Sequence, residues 1–244
     1  MKILLCCPRF GVMSQVYAHR GLHTTEIENT VAAFVEAKAV GVHGVELDVR
    51  RTKDGALVVH HDAAISGVGD ICQKSLAELP GHVATLTEVM NACAGIHVNV
   101  EIKNWFEDPG YDPSGAMATQ TMDLLAQMKW LDDVIVSSFD LDTCLAVKKL
   151  HPHVDVGWLL NWTESTMECS RRAAEAGLNA VHPHYKTLNE GDVATIQGLG
   201  LAVNVWTVNS ASSIQRMYDW GVDTVITDDP VLALSLLASR GPSA

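Results

Sequence analysis

The feature that most constrains the fold is a rhythm: short β-branched runs alternate with helix-like segments along almost the whole chain. The strand-like runs fall at 16–19, 44–48, 98–102, 134–138, 156–160, 180–182, 202–206 and 224–227. Between them lie segments such as NTVAAFVEAKAVG, ATLTEVMNACAG and SSIQRMYDWG. Several close on glycine and several open on Asn, Asp or Ser, as helix ends do; Asn29 and Asp140 fit the N-cap role. A further run, 57–60, follows TKDGA. A D-G pair after a strand signals a tight turn, so this run is read as a hairpin return beside the second strand. Eight strands, seven connecting helices and a closing helix over DPVLALSLLAS remain. Repeated βα units in this number predict an α/β fold, a TIM-type (β/α)8 barrel with a β-hairpin after the second strand. An open, doubly wound sheet is the competing topology, but no G-x-G-x-x-G follows an early strand.

The 244 residues carry no Pro/Ser/Gly-rich linker, no charge block and no evident repeat, so one domain over 1–244 is expected. A net charge of −12 argues against nucleic acid as a partner, since phosphate neutralisation needs a basic surface. A small anionic substrate remains compatible if a metal ion or local cations offset the field. The N-terminus, MKILLCCPRFGVMSQ, has too short an apolar run for a secretory signal. No apolar stretch approaches the length that spans a bilayer. The six cysteines lack C-x-x-C spacing and read as buried thiols. A cytoplasmic protein without stable membrane insertion is expected, and nothing in the sequence fixes an oligomeric state.

Charges stand where a core should be. In a barrel of this type chemistry sits at the C-terminal ends of the strands. The first strand ends in His19-Arg20, the second carries Glu46 and Asp48, the third Glu101 and Lys103, and the hairpin ends in His60-His61-Asp62. Strand side chains alternate, so Glu46 and Asp48 share a face, as do Glu101 and Lys103. Three carboxylates in one cavity repel one another unless a cation neutralises them, and all-oxygen ligands suit a hard divalent ion, Mg2+ or Ca2+. Metal, Arg, Lys and two imidazoles together fit phosphoryl transfer: cations hold the non-bridging oxygens while imidazoles move protons near neutrality.

The motifs AHRG, ENT, ELDVRRTKDGALVVHHD, VEIK, VWTVN and ITDDP, in that order, resemble the glycerophosphodiester phosphodiesterase family from about residue 17 to 232. The resemblance implies a metal-dependent barrel hydrolase that cleaves a glycerophosphodiester, a small molecule, to glycerol 3-phosphate and an alcohol. It implies His19 and His61 as the acid/base pair, and Glu46, Asp48 and Glu101 as metal ligands. Arg20 and Lys103 become phosphate contacts, and Trp206 a wall of the glycerol pocket. In the implied mechanism a glycerol hydroxyl attacks phosphorus, and water then opens the cyclic phosphate. Which histidine is acid and which is base stays open, as does the head-group alcohol. The same site could serve a lysophospholipase D-like or other phosphodiesterase activity. A phosphodiester-binding protein without turnover has no need of two histidines poised for proton transfer.

Three departures from the family pattern stand out. Ile27 replaces the Pro usual before ENT, a change of helix-start geometry. The segment between His61 and Glu101 is short, which implies a reduced lid. The first fifteen residues have no counterpart in the pattern. Other polar residues read structurally. His60 should face away from His61, His151–His153 is expected in a solvated loop, and His23 is expected to be structural. His182 is a weaker pocket candidate. Asp62 is expected to orient a neighbour or cap a turn, and Asp228-Asp229-Pro230 to cap the closing helix.

Overall fold

The computed structural model describes residues 14–240. The expectations placed on the N-terminal signal, on Cys6 and Cys7, and on most of the first fifteen residues lie outside them. The elements run β1 (Gln15–His19), α1 (Val31–Ala39), β2 (Gly44–Arg51), β3 (Leu57–Val59), β4 (Ala64–Ile65), β5 (Gly69–Asp70), α2 (Leu86–Ala92) and β6 (His97–Ile102). They continue α3 (Ala116–Gln127), β7 (Val134–Ser138), α4 (Leu141–Leu150), β8 (Asp155–Leu159), α5 (Thr166–Glu175), β9 (Ala180–His182), α6 (Glu190–Gly198), β10 (Ala202–Val205), α7 (Ala211–Asp219), β11 (Thr224–Thr227) and α8 (Pro230–Ala238). Eight strands, β1, β2 and β6 to β11, pair in parallel, and β1 bonds both β11 and β2, which closes the barrel. The expected (β/α)8 fold is present.

Closure follows from the alternation of side chains. Val16, Ala18, Val45, Leu47, Val98, Val100, Val134, Val136, Val181, Val203 and Val225 belong to one continuous apolar core that includes Phe34, Leu86, Met122, Val147, Ile196 and Ile214 of the helices. Residues of the opposite parity face the barrel axis, and many are polar: Tyr17, Glu46, Asp48, Asn99, Glu101, Ser137, His182 and Asn204, all buried. Space inside is tight. A Cβ on Gly157 would stand 2.3 Å from His182 Nε2, so glycine at that position is what admits the imidazole.

Two local differences from expectation matter for the site. β2 runs three residues further than its apolar pattern suggests, because Val49, Arg50 and Arg51 pair with Val59, Val58 and Leu57 of the antiparallel return. His60 N then donates to Asp48 O at 2.9 Å, which keeps the hairpin zipped to the mouth and delivers His61 there. Asn29 is not the cap of α1. Thr30 is, its hydroxyl accepting from Ala33 N, while Asn29 takes a left-handed φ of 59° and turns its amide inward. Asp140 caps α4 as expected. Asp229, ahead of Pro230, caps α8, but Asp228 does not take part.

Candidate active site

Each charged side chain reaches the mouth from the end of a strand. Glu46, Asp48 and Glu101 are buried, and one oxygen from each lies within 4.8 Å of the others. Lys103 Nζ sits 2.9 Å from Asp48 Oδ1 and 2.7 Å from Glu101 Oε1. Arg20 Nε is 3.3 Å from Asp48 Oδ2, and Nη1 donates to Glu28 Oε1 at 2.9 Å. Arg20 itself has φ 58°, uncommon outside glycine, and this turn points its backbone N–H at the Glu46 carboxylate, 3.1 Å away. Asn29 Nδ2 donates to Asp48 Oδ2 at 2.7 Å. The β1–α1 loop, β2, β6 and the residue following β6 thus converge on the cluster.

The electrostatics follow from that packing. Burial raises Glu46 well above the ordinary carboxylate range, and the neighbouring Asp48 and Glu101 push it the same way. Burial would also raise Asp48, but Lys103 and Arg20 outweigh it and hold the carboxyl below its usual range. Lys103 is the mirror case: burial lowers it, yet Asp48 and Glu101 raise it above an ordinary lysine. Three carboxylates face Lys103 and Arg20, and Arg20 is shared with Glu28, so the cluster with all its acids ionised is short of positive charge. A divalent cation would supply it, and this all-oxygen donor set fits Mg2+ or Ca2+.

The two histidines are held alike. His19 Nδ1 lies 2.6 Å from Asp228 Oδ1, and His61 Nδ1 lies 2.7 Å from Asp62 Oδ1. Burial opposes ionisation of Asp228, but the hydrogen bond and charge of His19 bring it down to about 2. The bond to His61 lowers Asp62 as well. An ionised carboxylate only accepts, so each Nδ1 carries the proton and each Nε2 is left for chemistry. His19 Nε2 is 4.0 Å from Glu46 Oε2. Burial lowers His61, and the nearby Lys103 adds to this. Arg50 clamps the His61 carbonyl through Nε and Nη2 at 2.8 and 2.6 Å, and donates to Asp108 at 2.8 Å. His19, His23 and Asp228 also meet metal-ligand spacing, but Asp228 is already bonded by His19 and by Asn209 Nδ2 at 2.5 Å.

A cavity of about 450 Å3 opens here, lined by His61, Glu101, Lys103, Trp105, Phe139 and Trp162 among others. A larger groove of about 830 Å3 runs past Arg51, Thr85 and Gln120 elsewhere on the barrel and gathers none of these groups. Trp206 lies beside the site. Its Nε1 donates to His182 O at 2.7 Å, and its ring meets Phe139 edge-on at 5.6 Å. His182 is a barrel-core side chain: fully buried, bonded to Asn204, and pushed down to about 3 by burial. His184 is buried too, stacked under Trp162 at 3.8 Å. His60 bonds the Asp62 carbonyl, and His153 is exposed. The roles of Asn29, Asn209 and Asp228 were not foreseen from sequence. Asp228 had a signal, since it stands at the end of the last strand as His19 stands at the end of the first.

Among the described residues, no helix is long and apolar enough to cross a membrane. Cys93, Cys144 and Cys169 are buried free thiols, and Cys72 is a partly buried one.

Comparison with known proteins places this geometry. Residues 19–232 match the Glycerophosphoryl diester phosphodiesterase family. A glycerophosphodiester phosphodiesterase of Caldanaerobacter subterraneus subsp. tengcongensis is 30% identical over 93% of this chain and 98% of its own. One from Bacillus subtilis is 29% identical over 88% and 83%. A crystal structure of a glycerophosphodiester phosphodiesterase from Parabacteroides distasonis superposes with a TM-score of 0.84 at 28% identity, covering 93% of this chain and 98% of that one. An Oleispira antarctica phosphodiesterase, solved in complex with its product sn-glycerol-3-phosphate, gives 0.82 at 26% identity, over 93% and 97%. With its motifs intact and the match spanning the barrel, the chain belongs to the glycerophosphoryl diester phosphodiesterase family, a family of phosphoric diester hydrolases.

Proposed function

We propose that the protein hydrolyses glycerophosphodiesters to sn-glycerol 3-phosphate and an alcohol, with a divalent cation, Mg2+ or Ca2+, held by Glu46, Asp48 and Glu101. The observation that carries this reading is one mouth holding three buried carboxylates, two cations and two imidazoles whose Nδ1 atoms are both taken. When bound, the cation neutralises developing charge on the phosphoryl oxygens. Arg20 and Lys103, on opposite sides of Asp48, offer their remaining N–H groups to the non-bridging oxygens. One imidazole Nε2 takes the proton of the neighbouring glycerol hydroxyl as that oxygen bonds to phosphorus. The other gives a proton to the departing alcohol oxygen, whose P–O bond breaks. Water then opens the cyclic phosphate with the roles reversed. Trp206 walls the glycerol end, and Asp228 and Asp62 hold the two rings in the productive tautomer.

A second reading keeps this centre and adds an acyl chain, as in a lysophospholipase D. Phe106 and Trp162, 62% and 57% exposed at the rim, give it its footing. The unpaired buried thiols suit a reducing, cytoplasmic setting. The test is to incubate the protein with glycerophosphocholine and a divalent cation, then with EDTA. Glycerol 3-phosphate is expected in the first case and not in the second; its absence with metal present contradicts the proposal. Faster choline release from lysophosphatidylcholine than from glycerophosphocholine selects the second reading.

A further inference from the structure

A second set with metal-ligand spacing stands beside the three carboxylates. One atom from each of His19, His23 and Asp228 lies within 4.8 Å of the others. Both rings meet the same oxygen: His19 Nδ1 is 2.6 Å and His23 Nε2 3.3 Å from Asp228 Oδ1. The backbone builds this meeting. Ala18 pairs with Thr227, so the next residues, His19 and Asp228, stand side by side where β1 and β11 end. Gly21 then turns the chain at φ 83°, where a Cβ would lie 2.7 Å from the Ala33 backbone. Leu22 N bonds Ala33 O at 2.8 Å, and His23 follows that anchored residue. Asn209 fixes the carboxylate: its Oδ1 accepts from Asp228 N at 2.9 Å and its Nδ2 donates to Asp228 Oδ2 at 2.5 Å.

Two imidazoles and a carboxylate are a donor set for a borderline ion such as Zn2+, with water in the fourth place. The side chains of His19, His23 and Asp228 are 16%, 22% and 37% exposed, so an ion and its water can enter. Asn209 occupies Oδ2, which leaves Oδ1 as the ligand oxygen. Zn2+ bonds of about 2.0–2.1 Å set tetrahedral ligand atoms ~3.3 Å apart. His23 Nε2 already stands at 3.3 Å from that oxygen. His19 Nδ1, at 2.6 Å, has to part from it by only about 0.7 Å. The neighbouring oxygen-only set prefers a hard ion, so one mouth offers two sites of different chemical preference.

We infer that His19, His23 and Asp228 form an inhibitory site for Zn2+ or a similar borderline divalent ion. Binding replaces the His19–Asp228 hydrogen bond by Zn–N and Zn–O bonds, and the proton on His19 Nδ1 passes through water to Nε2. That nitrogen then has no lone pair to accept a proton, and the ring drops out of the exchange that either acid or base role requires. His19 stands between the two sites, its Nε2 4.0 Å from Glu46 Oε2, so filling the second site disables the first without displacing its ion. The binding site stands on this geometry; its inhibitory effect rests on the diesterase reading above.

The experiment holds Mg2+ in excess to keep the carboxylate site filled and adds Zn2+ to wild type, His23→Gln and His23→Ala. Gln keeps a hydrogen-bond donor for Asp228 but is a poor zinc ligand, so the loop stays tied down in at least one variant. Calorimetry reads Zn2+ affinity, and hydrolysis of glycerophosphocholine reads inhibition. His23 takes no part in the proposed chemistry, so without Zn2+ both variants should keep wild-type activity. Both should bind Zn2+ about tenfold more weakly or worse, the least that loss of even an outer-shell partner costs. The Zn2+ concentration for half-inhibition should rise by the same factor. Equal Zn2+ affinity in all three proteins overturns the site. So does inhibition that excess Mg2+ relieves alike in all three, which puts the zinc on the carboxylates. No turnover by Mg2+-loaded wild type overturns the diesterase reading instead, and calorimetry still decides the site.

Discussion

His19 and His61 each present Nε2 to the mouth because a carboxylate has claimed Nδ1. This pairing makes Asp228 a positioning residue in the proposed chemistry. Asp228→Asn should lower kcat by about 10–100-fold while KM changes little, since an amide can hold the wrong tautomer. Steady-state kinetics on one diester checks this, and an unchanged kcat with a lowered Tm would reduce Asp228 to a structural part. The histidines, the three acids and the two cations were legible in the sequence because charge at the end of an apolar strand is costly without a task. Asp228 and Asn29 were not. Asp228 meets His19 across 209 residues, a contact made only when β11 closes on β1. Asn29 sits where a cap is expected, and only its left-handed backbone turns it to Asp48. A one-residue shift of the cap to Thr30 was enough to hide it.

At the scale of elements, strand positions were readable because outward faces are uniformly apolar and feed one core under the helices. Strand ends were less so. β2 outruns its apolar pattern because hydrogen bonds to β3, and not burial, extend it. The short β4–β5 pair after His61 carries no periodic signal, and two-residue strands are too brief to show any. Among the described glycines, the one with least room for a Cβ is Gly157, on β8, which faces His182 of β9. Gly157→Ala should destabilise the protein by about 1–3 kcal/mol, the usual cost of overpacking, because its Cβ would enter the space of His182 Nε2. Urea denaturation measures it. A loss under about 0.5 kcal/mol, the range of an ordinary surface substitution, would mean the imidazole moves aside freely.

Among the described residues the molecule buries two histidines, His182 and His184, and partly desolvates others. Burial lowers His43, His61, His97, His182 and His184, with His182 brought to about 3. The sign is fixed by linkage. Below the ordinary value of 6.5 the unfolded chain protonates His182, while the folded protein does not until about pH 3. The unfolded state then binds more protons, so stability falls as pH drops through this window, by up to about 1.4 kcal/mol per pH unit from this group. Denaturation at pH 7, 6 and 5 should show that loss, and His182→Gln should flatten it; equal slopes would place His182 in water. The same architecture, apolar outside the strands and ionisable inside the mouth, carries the function. Its most direct test is a 31P NMR time course of glycerophosphocholine with Mg2+ or Ca2+, for wild type and folded His61→Ala. The account predicts that wild type converts the diester resonance to that of glycerol 3-phosphate and that His61→Ala is slower by about 10²–10⁴. An unchanged diester with wild type, or near-normal conversion by His61→Ala, would contradict it.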